Sequence, residues 1–138
     1  MADALRLPFA DQSLSVLIAT LGDPYNAPRF WQEVARVLVP KGIVIFTTPS
    51  YAWSSTFRRP EKEEQHVADF EIRDGRHIIV PSFIYPESEQ IAILAAHGLV
   101  VQETKCVTIN QLQEGGVSSK LRDARRGEIV TGYWASKS

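Results

Sequence analysis

Few residues in this 138-residue chain have the chemistry for a reaction, and their spacing narrows what they could do. His66, His77 and His97 are its three histidines, and Cys106 is its one cysteine. No two of these four stand three or four residues apart, the spacing that puts two ligands on one helical face, so no metal site is expected. A lone Cys106 also excludes an internal disulfide framework, and its strand-like apolar neighbours make it a packing residue, not a nucleophile. His66 stands in an acidic stretch and is a candidate general base, because an imidazole titrates near neutral pH. Tyr51 and Trp53, with Phe57, Tyr85 and Trp134, are aromatics that could wall an apolar substrate pocket, and the first two are the better substrate candidates. Thr20, Leu21 and Gly22 follow an apolar run, at the carboxyl edge where open α/β sheets bind their ligands.

The elements that must position these residues alternate between strand-like and helix-like, which argues for an α/β architecture. Leu14 to Thr20 is apolar without alternation and suits a strand buried on both faces. Asn26 to Leu38 has a plausible N-cap in Asn26, Pro28 in the first turn, and Phe30, Val34, Val37 and Leu38 on one helical face. Arg29 and Glu33 are spaced to pair on its wet side. Pro40, Lys41 and Gly42 turn the chain into a β-branched strand over 43–48, which Pro49 ends. Residues 58–75 are polar and acidic and read as a lid or loop, and 76–81 as a short edge strand. Pro86 to His97 reads as a helix with Pro86 in its first position, a stripe of Ile91, Leu94 and Ala95, and Gly98 just past its end. His97 then serves the negative end of the helix dipole. Strands are expected over 99–109 and 128–136. The connection between them holds Gly115, Gly116 and the basic run Lys120 to Arg126, read as a solvated face. With no convincing helix there, the last two strands should be antiparallel neighbours.

Composition sets outer limits. Apolar residues make up 44% and charged residues 22%, an ordinary globular balance for a single domain over 1–138. Fifteen basic against sixteen acidic residues give a net charge of −1, with no general pull toward nucleic acid or an anionic membrane. No apolar run reaches 18 residues, and the first residues lack the apolar stretch of a signal peptide, so a soluble, cytoplasmic protein is expected.

Two blocks carry a family resemblance. Asp3, Ala4, Leu7, Pro8, Phe9, Asp11, Ser13 and Val16 form one; Glu33, Arg36, Val37, Leu38, Pro40 and Gly42 form the other. In that order and spacing the chain resembles class I S-adenosylmethionine-dependent methyltransferases of the small-molecule, type 11 kind. The segments AAHGLVVQETKC and EIVTGYWASK look like the last helix and the antiparallel strand pair of that fold. The resemblance implies a Rossmann-like sheet ordered 3-2-1-4-5-7-6, of which this chain would supply 4-5-7-6. It also implies S-adenosylmethionine as cofactor, with Asp3 and Ala4 at the adenine and Thr20 and Leu21 near its methionine part. Asp23-Pro24-Tyr25-Asn26 is similar to the D-P-P-Y motif of amino-methylating enzymes, one proline short and about three residues late; with the near-neutral charge, a nucleic-acid substrate is not expected. The departures are as informative. Ser15 replaces the usual Asp and Lys41 the first Gly of the P-G-G turn, and the sequence has no G-x-G-x-x-G to cradle a cofactor. The expectation is a C-terminal half-domain whose activity needs a missing N-terminal half. The alternative is a non-catalytic half-fold that dimerises or binds a partner. Either way the strand over 14–20, as an open edge, should be covered by a second copy, by a partner chain, or by the N-terminal arm folding back.

Overall fold

The computed structural model describes residues 3–58, 66–111 and 127–138. The main sheet has four strands: β1 (Leu14–Ala19), β2 (Leu38–Pro49), β5 (Leu99–Thr108) and β6 (Glu128–Lys137), in the order β1-β2-β6-β5. β1 runs parallel to β2, while β6 is antiparallel to both β2 and β5. This is the order expected for the last four strands, and the last pair is antiparallel as expected. The residues between β5 and β6 that carry Gly115, Gly116 and the basic run lie outside the described residues, as do Glu61, Lys62, Glu63 and Glu64.

Two ten-residue helices, α1 (Pro28–Val37) and α3 (Glu87–Ala96), belong with one face of the sheet. Phe30, Trp31 and Val34 of α1 and Leu94 of α3 join Ala19, Val44, Phe46, Tyr133 and Ala135 in the core. The ring of Trp31 meets that of Phe46 edge-on at 4.7 Å between centroids, a favoured aromatic geometry. The other face carries Ile18, Ile45 and Trp134 in one register row and Val16 and Val100 in the next. All five side chains are exposed, Ile18 to 64% and Val16 to 51%. The expectation of a strand buried on both faces is therefore corrected: the apolar run of β1 packs on one face, and nothing among the described residues covers the other.

Residues 3–13 are strapped onto α1. Leu7 N–H donates to Glu33 Oε2 at 2.8 Å, and Arg36 Nη1 donates to Phe9 O at 2.9 Å and to Asp11 Oδ1 at 2.7 Å. Glu33 thus bonds Arg36 and Leu7 directly, in place of the expected Arg29 pair. The turn between α1 and the paired part of β2 puts Lys41 at φ +64°, a left-handed conformation that glycine adopts with less strain. A Cβ on the next residue, Gly42, would lie 2.8 Å from Val39 O.

Several local expectations need correction. β2 is longer than 43–48 because that turn is absorbed into its ladder. Asn26 does not cap α1; its side chain is buried in a polar network described below, and Ala27 holds the cap position without a side-chain bond. Pro86 is the residue before α3, not its first helical residue, and the buried side chains of α3 are Gln90 and Leu94, with Ala95 exposed. Gly98 does close that helix in a left-handed conformation, φ +73°, and His97 Nδ1 lies 2.8 Å from Ile93 O.

Candidate functional site

The polar stretch read as a lid contains a strand. β3 (Val67–Glu71) pairs antiparallel with β4 (His77–Pro81), forming a hairpin outside the main sheet. Alternation across 67–71 was obscured by the flanking charges, and the Asp74-Gly75 turn, with Gly75 at φ +80°, is the signal that could have found it. The short helix α2 (Tyr51–Ser54) begins directly after β2, where Ser50 accepts from Trp53 N–H at 3.1 Å and donates to Glu128 O.

Hairpin, α2 and the carboxyl ends of β1 and β2 enclose a cleft of about 720 Å³. Its walls are mainly apolar: Leu21 and Pro49 from the strand ends, Trp53 from α2, Val67 and Phe70 from β3, Ile79 from β4 and Ile84 beyond it. This volume lies in the range of small-molecule sites, and the location is where open α/β sheets bind ligands.

The mouth at β1 is tightly specified. Leu21 N–H donates to Thr47 Oγ1 at 2.9 Å and Gly22 N–H to Thr47 O at 2.9 Å, tying the end of β1 to β2. Leu21 is held at φ +48°, and its side chain is exposed in the cleft wall. A strained backbone that presents an apolar side chain to a cleft is a common feature of ligand sites. Gly22 has no room for a Cβ, which would strike the ring of Phe46 and come within 2.9 Å of that of Tyr25.

One corner of the cleft is polar. Ser82 Oγ donates to Asp23 Oδ2 at 2.5 Å, while Arg58 donates from Nη2 to Ser82 Oγ at 2.7 Å and from Nη1 to Ser82 O at 2.8 Å. Burial pulls the Arg58 guanidinium below its ordinary pKa, and Asp23 and Tyr51 oppose that. The backbone joins the same corner: Phe83 N–H donates to Asp23 O and Ser82 N–H to His66 O, each at 2.8 Å. Behind it, Asn26 is fully buried, donating to Phe83 O at 2.9 Å and to Gln90 Oε1 at 2.6 Å and accepting from Trp31 Nε1 at 2.8 Å. That network fixes the segment after β4 relative to α1 and α3.

The residues singled out from sequence fall as follows. Leu21 and Trp53 line the cleft. Tyr51 is exposed on α2 and is not among the lining residues. His66 lies behind the hairpin, its ring stacked on Phe83 at 5.2 Å and near Tyr85 at 5.7 Å, and Nδ1 has no hydrogen-bond partner among the described residues. Thr20 is exposed just beyond β1. Asp3 sits in an exposed turn, its Oδ1 accepting from Leu5 N–H at 2.9 Å, while Ala4 packs against the core. The Cys106 thiol is pushed up, first by burial and then by a hydrogen bond with Glu128, away from a reactive thiolate. Sequence reading missed Asp23 in a cleft role, Arg58 and Ser82; each is an ordinary loop residue until the hairpin brings it round. Among the described residues no group of acidic, His or Cys side chains could hold a metal, and no helix is long and apolar enough to cross a membrane.

Comparison with solved structures places this geometry. A SAM-dependent methyltransferase from Methanosarcina mazei superposes with a TM-score of 0.70 at 16% identity, covering 98% of this chain and 64% of that one. A candidate S-adenosylmethionine-dependent methyltransferase from Listeria monocytogenes gives 0.72 at 10% identity, covering 98% and 66%. A chain from the Haloferax volcanii complex between the Trm112 methyltransferase activator and a candidate methyltransferase gives 0.64 at 17%, covering 99% and 60%. No family model matches the chain, and no curated protein matches its sequence. The chain has the Rossmann-like fold of S-adenosylmethionine-dependent methyltransferases, as its two sequence blocks implied. It spans about two thirds of the length of the first two structures.

The described residues among Asp3, Ala4, Thr20 and Leu21 do not make a cofactor site by themselves. The Asp3 carboxylate already serves Leu5 in an exposed turn, Ala4 faces the core, and the sequence holds no G-x-G-x-x-G pattern to cradle an anionic or zwitterionic ligand.

Proposed function

We propose that this chain is the acceptor-binding part of an S-adenosylmethionine-dependent methyltransferase acting on a small molecule. On this reading it works only when the cofactor-holding part is supplied by further polypeptide. The observation that carries the reading is the 720 Å³ cleft at the carboxyl ends of β1 and β2 on a methyltransferase fold. Methyl transfer asks chiefly for positioning, and a largely apolar cleft with one polar corner supplies that for an acceptor. Asp3, Ala4, Thr20 and Leu21 would then be contacts at the border with the cofactor, and Trp53 a wall of the acceptor site.

The second reading is a non-catalytic half-fold that associates through its sheet. The row of exposed Ile18, Ile45 and Trp134 favours it, because β1 is also an edge strand. An open strand edge beside an apolar face is an association surface, and a second copy or a partner chain would cover it. The Haloferax complex is a precedent for a partner in this fold, and of that protein only.

Titration calorimetry with S-adenosylmethionine separates the two readings when it is run on the purified chain and again with candidate partner polypeptide added. The proposal expects no heat from the chain alone and saturable heat once the partner is present. Saturable binding by a monomeric chain overturns the claim that the site is incomplete. Absence of heat under both conditions, with a stable dimer by light scattering, favours the non-catalytic reading.

A further inference from the structure

We infer that the cleft takes an apolar molecule with a hydrogen-bond-donating head, a hydroxyl or an amine, that binds Asp23, and that it discriminates against carboxylates. The inference rests on the cleft being the acceptor site proposed above, and it names the acceptor's class.

The argument follows the protons in the polar corner. A serine hydroxyl has one proton, and an ionised carboxylate can only accept. The 2.5 Å contact between Ser82 Oγ and Asp23 Oδ2 therefore uses the serine's only proton. Arg58 Nη2 must then be the donor to Ser82 Oγ, and Nη1 donates to the carbonyl of the same residue. The donors run in one direction, from Arg58 through Ser82 to Asp23, and both terminal nitrogens of the guanidinium are directed at a serine that is almost fully buried. The chain of donors ends on Asp23. Its Oδ1 has no hydrogen-bond partner among the described residues, and Asp23 is part of the cleft wall. What Asp23 offers a ligand is thus an acceptor.

Charge points the same way, because the open acceptor oxygen belongs to a carboxylate while Arg58 Nη1 and Nη2 donate to Ser82. A ligand carboxylate at Oδ1 would meet a like charge between apolar walls, where repulsion is poorly screened. A hydroxyl or ammonium there gains a charge-assisted hydrogen bond instead. The remaining walls, Leu21, Trp53, Phe70 and Ile79, ask for an apolar body; Leu21, Phe70 and Ile79 are all exposed in the structure and would be covered by it.

The experiment is a calorimetric titration of the purified chain, at neutral pH, with phenylbutylamine, phenylbutanol and phenylbutyrate. The three probes share one skeleton and differ in the head. The amine and the alcohol are expected to bind at least about tenfold more tightly than the carboxylate, a ratio one charge-assisted hydrogen bond sustains. In Asp23→Asn that preference should vanish, and in Trp53→Ala all three should weaken by a similar factor. A carboxylate that binds as tightly as the amine overturns the inference, and so does a chain that binds none of the three. The comparison in the unsubstituted chain decides the matter even if Asp23→Asn fails to fold. No cofactor is present, so failure here removes the acceptor class and leaves the cofactor question to its own titration.

Discussion

Arg36 grips Glu33 with two parallel hydrogen bonds, Nε to Oε1 at 2.9 Å and Nη2 to Oε2 at 2.8 Å, and the same guanidinium reaches Leu7 O at 3.0 Å. The two residues belong to one sequence block and the segment they hold to the other. The two blocks that carry the family resemblance are thus one hydrogen-bonded unit. Their spacing reflects how the chain before β1 is fastened to α1, and this explains how they can be present in a sequence without a G-x-G-x-x-G pattern.

That unit makes a prediction about acid. The hydrogen bond from Arg36 is the largest cause, helped by Leu7 N–H, that holds the Glu33 carboxyl down to about 2 from an ordinary 4.5. A carboxyl whose pKa is lowered by folding contributes stability above its unfolded value and loses it as pH falls through the folded one. Stability from this group should therefore be full above about pH 5 and gone near pH 2. Glu33→Gln should melt below the unsubstituted chain at neutral pH, with the gap closing as pH falls. Arg36→Lys should not rescue the unit, because an ammonium cannot make the paired fork. Thermal melts across that pH range check both outcomes; a gap that stays constant with pH would refute the assignment.

Asn26 offers a test of the buried network. Replacing it with Leu leaves Trp31 Nε1 and Phe83 O without their partner in a site sealed from water. Unsatisfied buried polar groups of this kind cost about 1–3 kcal/mol each, so a loss of roughly 2–4 kcal/mol is expected. Asn26→Asp should also destabilise, since Asn26 donates to two acceptors, Phe83 O and Gln90 Oε1. Denaturant titration gives the numbers, and a loss below about 1 kcal/mol would show that the network contributes little beyond its packing.

The legible part of the fold was its periodic part. The strand order followed from the family resemblance, and the antiparallel last pair from the resemblance and from a connecting sequence without a convincing helix pattern. The helix over Pro28–Val37 followed from a 3.6-residue stripe, although Trp31 was missed because its neighbour Phe30 already marked the buried face. What was illegible lies where side chains serve distant partners. Asn26 has the composition of a helix cap, and only its meeting with Gln90, 64 residues on, makes it a core residue. Ser82 and Arg58 are likewise ordinary until β3 and β4 fold as a hairpin and close one wall of the cleft. Of the three substrate candidates, Trp53 is among the residues lining that wall, and Tyr51 and His66 are not.

The exposed face of the sheet makes a prediction about association. Ile18, Ile45 and Trp134 lie side by side across β1, β2 and β6. If a second copy covers this face and edge, light scattering should give twice the chain mass, and Ile18→Lys should return it to the monomer without lowering the melting temperature of that monomer. The residue is 64% exposed, so the substitution removes little intramolecular packing. A monomeric unsubstituted chain at high concentration would exclude self-association and leave a partner chain as the occupant.

Leu21 and Lys41 pose one backbone problem in two settings, and comparing them tests whether the strain at the cleft serves binding. Both adopt left-handed conformations, φ +48° and φ +64°. Such a conformation costs a non-glycine residue about 1–2 kcal/mol, and the greater unfolded-state freedom of glycine offsets part of the relief on substitution. Lys41→Gly should therefore stabilise the chain by roughly 0.5–1 kcal/mol, because the lysine side chain is exposed at a turn and lines nothing in the cleft. Leu21→Gly removes similar strain and loses little packing, so it too should hold or raise stability. It also strips an apolar side chain from the cleft wall, and a buried side chain of that size is worth about 1.5–3 kcal/mol to a ligand that covers it. Binding of phenylbutanol should then weaken about tenfold or more in Leu21→Gly and stay unchanged in Lys41→Gly. Equal binding in the two variants would mean that the strained leucine is a feature of folding alone. A selective loss in the first would show that stability is given up at the end of β1 to hold an apolar side chain against the ligand.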